Sequence, residues 1–517
     1  MCKLIILIFV TTINFINGAK ILGVFPSPGY SQFILGEVLM TELARRGHDV
    51  TMISAYKPRE ELKNYRTILA DDMVNKPQRD LFPREREHFI NRIRSVHNLG
   101  YLVTENALTN SGVQNLIHSN ETFDLVILEQ FLNEAHMAFG SHFNAPIVLF
   151  SSIGISEWNS HLIGDIRLPS IVPVTKTHYT DHMSFFQRLF NSIVNVCDIL
   201  YRELVSYPIH QEYIDKYFPK KMNLRDIIYN ASLMLLNSHV STTQPASLTT
   251  AVIEIGGFHV SSKKLPEDIQ KFLDEAENGA ILFSMGSNLN ISNLPLTTLD
   301  NIMEMFSKMK QRVLLKYEDI NLKNKPSNVL ISKWLPQSDI LEHRSLVAFV
   351  THGGLLSVTE AVFHGVPMVG IPIFGDQRMN VARCVRKGIA VHLPFQELTA
   401  FNLHQALVKV LENREYQDNS RRNANIMRDR PVRPLNWAMY WIEYVLRHNG
   451  AIHLRNASLE LYWFQLYLID VIIFLMVSLI LMYYLIAKRQ RIKGFHPQVT
   501  QNTNAKKLRK KNKLKKY

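Results

Sequence analysis

Cysteine is almost absent. The 517 residues hold three, and one of them, Cys2, sits in the first few positions. A small disulfide-stapled scaffold is therefore excluded, and a chain of this length has no need of one, since it can bury full cores in two ordinary domains. Cys197 and Cys384 are expected to be free thiols in different domains. Acidic residues are missing from the end of the chain: residues 488–517 contain twelve Lys or Arg and no Asp or Glu. The net charge is +13, and without that tail it falls to about +1. The basicity thus gives no reason to expect nucleic acid as a partner. No G-x-G-x-x-G follows either opening strand, which sets aside a dinucleotide-dependent dehydrogenase. No repeat at solenoid spacing is present. One more absence matters for chemistry. The loop after the first strand, FPSPGYSQ, offers Ser27, Tyr30, Ser31 and Gln32, none of them a good base at neutral pH.

Three segments speak of a membrane. MCKLIILIFVTTINFINGA (1–19) has a basic start, an apolar run and small residues at its end, the pattern of a cleaved secretory signal. Residues 466–487 form an apolar run long enough to span a bilayer, flanked by Tyr462, Trp463 and Tyr467 on one side and Tyr483 and Tyr484 on the other. Lys488, Arg489, Arg491 and Lys493 follow at once, so the positive-inside rule places residues 488–517 in the cytosol and the body in the lumen. Asp470 at the lumenal edge of the span has an easy route to water. N-x-S/T triplets at Asn120, Asn230, Asn290 and Asn456 are all lumenal in this topology. The terminal KLKKY has the K-x-K-x-x spacing of a retrieval address for the endoplasmic reticulum.

Between signal and span, two halves each alternate strands with helices, the pattern of doubly wound parallel sheets. In the first half AKILGVF, DVTMIS, FDLVILE and APIVLF read as strands, with a helix from Phe33 to Arg46. In the second, AILFSMGS, RVLLKY, NVLI, LVAFVTHGG and PMVGIP read as strands, with helices near Leu296–Met309, Ser357–His364 and Gln377–Lys387. The expected domains are 20–256 and 257–434, joined by a linker within Val252–Leu265, then a helical segment 435–465 returning toward the membrane. Residues 151–220 look like a partly helical binding region. Two such domains face each other across a cleft at the carboxyl ends of their strands.

The chemistry concentrates in FVTHGGLLSVTEAVFHGVPMVGIPIFGDQRMN, residues 349–380. A strand runs into His352-Gly353-Gly354 and a helix starts near Ser357, so glycines and free helix N–H groups can approach a phosphate. Glu360, one turn on, can accept from adjacent ribose hydroxyls. Asp376 and Gln377 follow the next strand and suit sugar hydroxyls. Upstream, Trp334 offers a flat face for a base and Gln337 an amide beside it. Phosphate, ribose, base and sugar binders together describe a nucleotide sugar.

These motifs, with FSMGS (283–287), WLPQSDIL (334–341) and RHNGAIHLR (447–455), resemble the UDP-glycosyltransferase family in its animal, membrane-bound UDP-glucuronosyltransferase-like branch. The resemblance covers nearly the whole chain. It implies a GT-B fold and inverting transfer of glucose or glucuronic acid from a UDP-sugar co-substrate to a small lipophilic acceptor. It implies no metal and no further cofactor, and it admits homo- or hetero-oligomers. By resemblance, Trp334 stacks uracil, Gln337 touches the uracil–ribose unit and Glu360 holds the ribose. Ser287, His352, Gly354, Ser357 and Asn380 surround the diphosphate, and Asp376 and Gln377 bind the sugar. A cation for a glucuronate carboxylate would come from Lys263 or Lys264.

The family's loop normally reads Ser-His, and that His removes the acceptor's proton. Here it reads Ser31-Gln32, and the supporting acid is matched by Glu129. A lost general base slows a reaction by about 10²–10⁴, unless the acceptor is an acid, an amine or a phenol of low pKa. Three readings follow: an active transferase without the usual His, for which Glu129 is the one named carboxylate placed to substitute; a non-catalytic protein that binds UDP-sugar or a lipophile, or pairs with active relatives; or a membrane glycoprotein with a vestigial site, which the intact donor residues disfavour. The tail yields a separate expectation. Replacing Lys513 and Lys515 with Ser should send part of the protein to later compartments, read as matured glycans, and unchanged glycans and location would refute retrieval by KLKKY.

Overall fold

The computed structural model describes residues 18–74, 89–245, 247–286, 295–317, 322 and 325–494. The signal, Ser287, Asn290 and the KLKKY end lie outside the described residues.

The first sheet contains β1 (Lys20–Phe25), β2 (Asp49–Ser54), β3 (Tyr65–Leu69), β4 (Leu125–Glu129), β5 (Ile147–Ser151), β6 (Ala231–Leu236) and β7 (Val252–Glu254) in the order β3-β2-β1-β4-β5-β6-β7. The second contains β8 (Ala280–Ser284), β9 (Arg312–Lys316), β10 (Val329–Ser332), β11 (Leu346–Thr351), β12 (Met368–Gly370) and β13 (Ala390–His392) in the order β10-β9-β8-β11-β12-β13. The pairings are parallel. Strands covered by helices on both faces must be apolar throughout, and β4, β5, β6 and β8 are buried at every position. Strand order reverses between β1 and β4 in one sheet and between β8 and β11 in the other. Loops leave such switch points in opposite directions and open a crevice there.

The helices used below are α1 (Tyr30–Arg45), α2 (Phe89–Thr109), α3 (Phe185–Tyr201), α4 (Tyr207–Tyr217), α5 (Leu296–Ser307), α6 (Gln337–Glu342), α7 (Leu355–His364), α8 (Gln377–Arg386), α9 (Pro434–Arg447) and α10 (Ile469–Gly494). α1 lies against β1 because Gly36 has no side chain: a Cβ there would sit 2.4 Å from Cδ1 of Phe25. A single stretch of wider turns, Arg202–Ser206, carries α3 into α4. Cys197 and Cys384 are free thiols.

Three expectations are revised. Val252–Glu254 is not linker but the edge strand β7, paired with β6. β3, β6, β7 and β13 were not foreseen. Residues 435–465 do not simply lead away toward a membrane. α9 buries Ala438, Met439, Ile442 and Val445 in the core of the first sheet, and Ala451 joins them. Arg46 of the first domain reaches Glu443 (3.1 Å) and Asn436 (3.0 Å) on α9.

Among the described residues, those from Ala457 onward form a separate compact unit. Within it, Ile469–Arg491 is long and apolar enough to cross a membrane, with mean hydropathy 2.5. Asn120 and Asn230 are exposed and Asn456 is half-buried.

Because Ile442 is fully buried in the first core, Ile442→Ala should lower stability by about 2–5 kcal/mol, seen as a drop in melting temperature. An unchanged melt would mean that α9 is not part of that core.

Candidate functional site

The two switch points face one cavity of about 1230 Å³, walled by both sheets' loops. Tyr30, Ser31 and Gln32 come from the first turn of α1, which begins three residues earlier than the Phe33 expected from sequence. His352 and Gly354 follow β11, Trp334 and Gln337 follow β10, and Asp376 and Gln377 follow β12. Ser357 and Glu360 come from α7. Residues separated by more than three hundred positions thus share one space because parallel strands end on the same side of their sheets.

The second-domain wall is pre-organised. Nε2 of Gln337 donates to Oγ of Ser357 (3.0 Å) and to Oε2 of Glu360 (2.5 Å). Burial pushes the Glu360 carboxyl up to about 7. The Gln337 amide opposes that shift and nearby Asp339 adds to it. His259 was missed by sequence reading, since a lone histidine in a linker carries no signal. It lines the cavity with its Nε2 3.8 Å from Oε1 of Glu360, and burial lowers it to about 3, so it is neutral.

His352 forms the floor. Gly286 and Gly354 make room for it: a Cβ on either would meet the imidazole at 2.5 Å. Gly286 also has φ of +80°, which a side chain would strain. Burial, helped by Lys316, lowers His352 to about 4, so it serves as a neutral hydrogen-bonding group. α7 begins at Gly354 with no side-chain cap, leaving its first N–H groups for an anion.

Trp334 is half exposed (54%). Tyr30 meets it edge-on at 5.3 Å across the cleft, and the Lys316 ammonium lies 5.4 Å over its ring. Gln377 spends its carbonyl oxygen on the backbone N–H groups of Ile373 (2.8 Å) and Phe374 (3.0 Å), which leaves its amide nitrogen for a ligand. Asn380 does not line the cavity. It is buried behind the wall, donating to the Gly353 carbonyl (3.1 Å) and to Oδ2 of Asp376 (2.6 Å). Its geometry is that of a brace for Asp376 rather than a neighbour of a diphosphate. Lys263 lines the rim, and its backbone N–H donates to Oδ1 of Asp339 (2.7 Å), whereas Lys264 does not reach the cavity wall. Arg378 does reach it and was not singled out from sequence.

The first-domain wall sets apolar and aromatic side chains, Ile34, Val96, Phe131, Ile153 and Trp158, among charged ones that include Arg59, Glu60, Arg92 and Lys176. Lys176, itself part of that wall, pairs with Glu157 (2.9 Å) and Asp198 (2.8 Å) and lies 4.9 Å over the Trp158 ring. Burial alone would lower the Lys176 ammonium, but these two carboxylates raise it.

Glu129 is buried under the same wall (1% exposed) and does not itself line the cavity. Gln32 and Ser152 do. Neither carboxylate oxygen closes a hydrogen bond of ordinary geometry among the described residues. Burial pushes Glu129 up to about 7, while the nearby polar groups of Ser27, Ser152 and Gln32 favour its anion. The pair Gln32–Glu129 predicted from sequence is thus brought together, with Ser152 beside it as an unforeseen third member.

Comparisons with known proteins agree with this geometry. Residues 20–504 match the family described as "UDP-glucoronosyl and UDP-glucosyl transferase". The chain is 35% identical over 486 residues to UDP-glucosyltransferase 2 of Dactylopius coccus, covering 92% of this chain and 93% of that protein. It is 31% identical over 471 residues to UDP-glucuronosyltransferase 2A3 of Homo sapiens, covering 86% and 88%. Among solved structures it is similar in fold to CalG4, the calicheamicin glycosyltransferase, with TM-score 0.61 at 18% identity over 84% of this chain and 99% of that one. It is also similar to a Polygonum tinctorium UDP-glucosyltransferase capable of glucosylating indoxyl, with TM-score 0.57 at 15% identity over 83% and 99%.

Two tests follow. Trp334→Ala should weaken UDP binding by roughly 1–3 kcal/mol, the worth of one base stacked on an aromatic ring; calorimetry showing unchanged affinity would remove Trp334 from the site. The folded pKa of Glu360 lies above the ordinary 4.5, so its ionisation weakens the fold, and stability is lost as pH rises from about 4.5 to about 7. Glu360→Gln should therefore raise the melting temperature at about pH 8 while weakening UDP binding. A lower melting temperature would mean that the carboxylate is a stabilising group.

Proposed function

The chain belongs to the UDP-glucuronosyl and UDP-glucosyl transferase family, and from that premise we propose that Glu129, acting through Ser152, is the base of an inverting hexosyl transfer. The protein is a UDP-glycosyltransferase of GT-B fold. Its donor is a UDP-sugar, and the hexosyl group we propose is glucose or glucuronic acid. Its acceptor is a small lipophilic molecule suited to the wall of Phe131, Ile153 and Trp158. Uracil lies against Trp334 and Gln337, and the ribose hydroxyls bond to Glu360. The diphosphate meets His352, Gly354, Ser357 and the uncapped start of α7. The sugar meets Asp376 and Gln377, with Arg378 placed to read a uronate carboxylate. The body resides in the lumen of the endoplasmic reticulum, with the basic tail in the cytosol.

The observation that carries the mechanism is the unpaired carboxyl of Glu129 directly behind the cavity wall. The acceptor hydroxyl oxygen attacks the anomeric carbon from the face opposite UDP. The new C–O bond forms as the bond from that carbon to the UDP oxygen breaks, and UDP leaves with the electron pair. The acceptor proton passes to Oγ of Ser152 as the Ser152 proton passes to Glu129. A carboxyl held near 7 is suited to this work, because it is a stronger base than an ordinary carboxylate and still ionised at working pH. Gln32 contributes a hydrogen bond and no proton transfer. One observation favours the alternative of a binder without turnover: Glu129 does not touch the cavity directly.

Turnover of hydroxyl acceptors should fall as pH drops through about 7, because Glu129 must be ionised to accept the proton. Glu129→Gln should reduce that turnover by about 10²–10⁴ with UDP binding intact, while amine acceptors change little. Ser152→Ala should show the same selectivity. Gln32→His should raise kcat for weakly acidic alcohols by a factor of about 10²–10⁴. If wild type, both single variants and the double variant at Gln32 and Glu129 bind UDP yet are inert with phenols, acids, alcohols and amines alike, the binder replaces the transferase.

A further inference from the structure

A charged cluster stands in and behind the first-domain wall, and the proton path through Ser152 makes no use of it. The Lys176 ammonium lies 2.9 Å from Oε1 of Glu157 and 2.8 Å from Oδ1 of Asp198, and the three side chains are only 4%, 7% and 1% exposed. Each carboxylate residue has a second hold. Glu157 accepts from Oγ1 of Thr175 (2.6 Å) and from the Thr175 N–H (3.2 Å), and its carbonyl accepts from Arg202 (3.2 Å). Asp198 lies 3.5 Å from Nε2 of His97, the residue after Val96 of the cavity wall. The cluster thus ties α2, the 157–158 segment, the 175–176 turn and the end of α3 to one another.

Buried charges of this kind are a poor source of stability. Desolvation takes back much of their attraction, and apolar residues of similar volume often serve as well. What they supply is direction, because an ammonium shared by two carboxylates is held at one point. Here that point is above an indole. Nζ of Lys176 stands 4.9 Å from the centre of the Trp158 ring, and Phe131 meets the same ring at 78° and 6.0 Å. Trp158 follows Glu157 directly, so the anion that holds the ammonium and the ring beneath the ammonium belong to one short segment. Lys176, Trp158 and Phe131 all line the cavity. We propose that Lys176, clamped by Glu157 and Asp198, is a positioning residue that holds the Trp158 indole ready to receive an aromatic acceptor. The inference rests on the reading that acceptors lie against Phe131, Ile153 and Trp158. A ring fixed beforehand needs no ordering when the acceptor arrives, whereas a loose one lowers affinity by about three- to tenfold. That loss falls on ground state and transition state alike, so it raises the acceptor KM and spares kcat.

The test titrates 4-nitrophenol into the full chain saturated with UDP, followed by calorimetry. Lys176→Met should weaken 4-nitrophenol by about three- to tenfold and leave the Kd for UDP unchanged. Lys176→Arg keeps the charge and should recover most of the loss. Lys176→Met alone strands two buried carboxylates, so Lys176→Met with Asp198→Asn is measured beside it. That pair removes one positive and one negative charge, and the same loss is expected. Trp158→Ala separates this inference from the reading beneath it. It should also weaken 4-nitrophenol, and in its background the changes at Lys176 and Asp198 should add nothing. If Trp158→Ala weakens 4-nitrophenol but the Lys176 variants bind it as the wild type does, the positioning role is overturned and the acceptor wall stands. Losses that add in the Trp158→Ala background also overturn it, because Lys176 then acts without the indole. If Trp158→Ala leaves 4-nitrophenol binding intact, the wall reading fails and this inference with it.

Discussion

α9 returns the chain to the core in which it began. Without that return, the second sheet would hang from the first by the single connection that follows β7. With it, the second sheet is inserted between two segments of one hydrophobic core, and Met439, Ile442 and Val445 pack with residues of β1 and α1. Two covalent crossings restrict rotation far more than one, and Arg46 adds ionic and amide contacts across the return. Other contacts work from the opposite side of the cleft: Arg386 meets Asp181, and Nζ of Lys387 donates to the Val240 carbonyl (2.8 Å). The carboxyl ends of both sheets are thereby held toward a shared space, and Tyr30 can touch Trp334.

At that space, one in its wall and one just behind it, the protein holds two carboxyl groups that a stability-driven sequence would discard. Glu129 has no hydrogen bond of ordinary geometry, and Glu360 has an amide but no cation among its partners. An unsatisfied buried acceptor costs on the order of 1–3 kcal/mol. Both groups sit at the switch points, where ligands bind, and both are pushed toward 7 chiefly by burial. Strain placed at ligand sites and offset by packing elsewhere is what selection for activity leaves behind. The buried pairs of Lys176 are the opposite case: charges taken out of water but matched by opposite charge at 2.8 and 2.9 Å.

The fold and the donor wall were legible in the sequence for a physical reason. Parallel strands covered on both faces need unbroken apolar runs, and a phosphate site needs glycines at a strand–helix junction, so β1, β4, β8, β11 and the His352–Gly354 turn announce themselves. β3 and β13 did not, because short edge strands carry partly exposed, mixed sequences. α9 was recognised as helical, but which core an amphipathic helix enters is a tertiary fact that no local pattern encodes. Trp334, Gln337, Ser357 and Glu360 share one wall of the cavity while Asn380 lies behind it, a difference of layer that spacing along a helix does not show. His259 and Ser152 carry no motif and emerge only when the chain is folded. α3 was legible only as part of a partly helical region, and the structure shows that its apolar stripe faces out.

The substitution at Gln32 takes its meaning from these facts together. The amide oxygen of Gln32 lies over Gly29, where a Cβ would stand only 2.4 Å away. The rest of the amide is left to act on Glu129, whose anion it favours. In a His–acid pair, the acid orients the imidazole and the imidazole takes the proton. Replacing the imidazole with an amide removes the proton acceptor but keeps a donor, and a donor beside a carboxylate lowers that carboxylate's pKa. Burial acts in the opposite direction and is the larger influence, and the balance settles near neutrality. In the proposed transfer the roles in the pair are exchanged: the buried acid is the basic group, and the residue facing the cleft is its orienting partner. Such an exchange needs a path for the proton from the cavity to the carboxylate, and the hydroxyl proposed for it is that of Ser152, which lines the cavity and is one of the polar groups that favour the Glu129 anion.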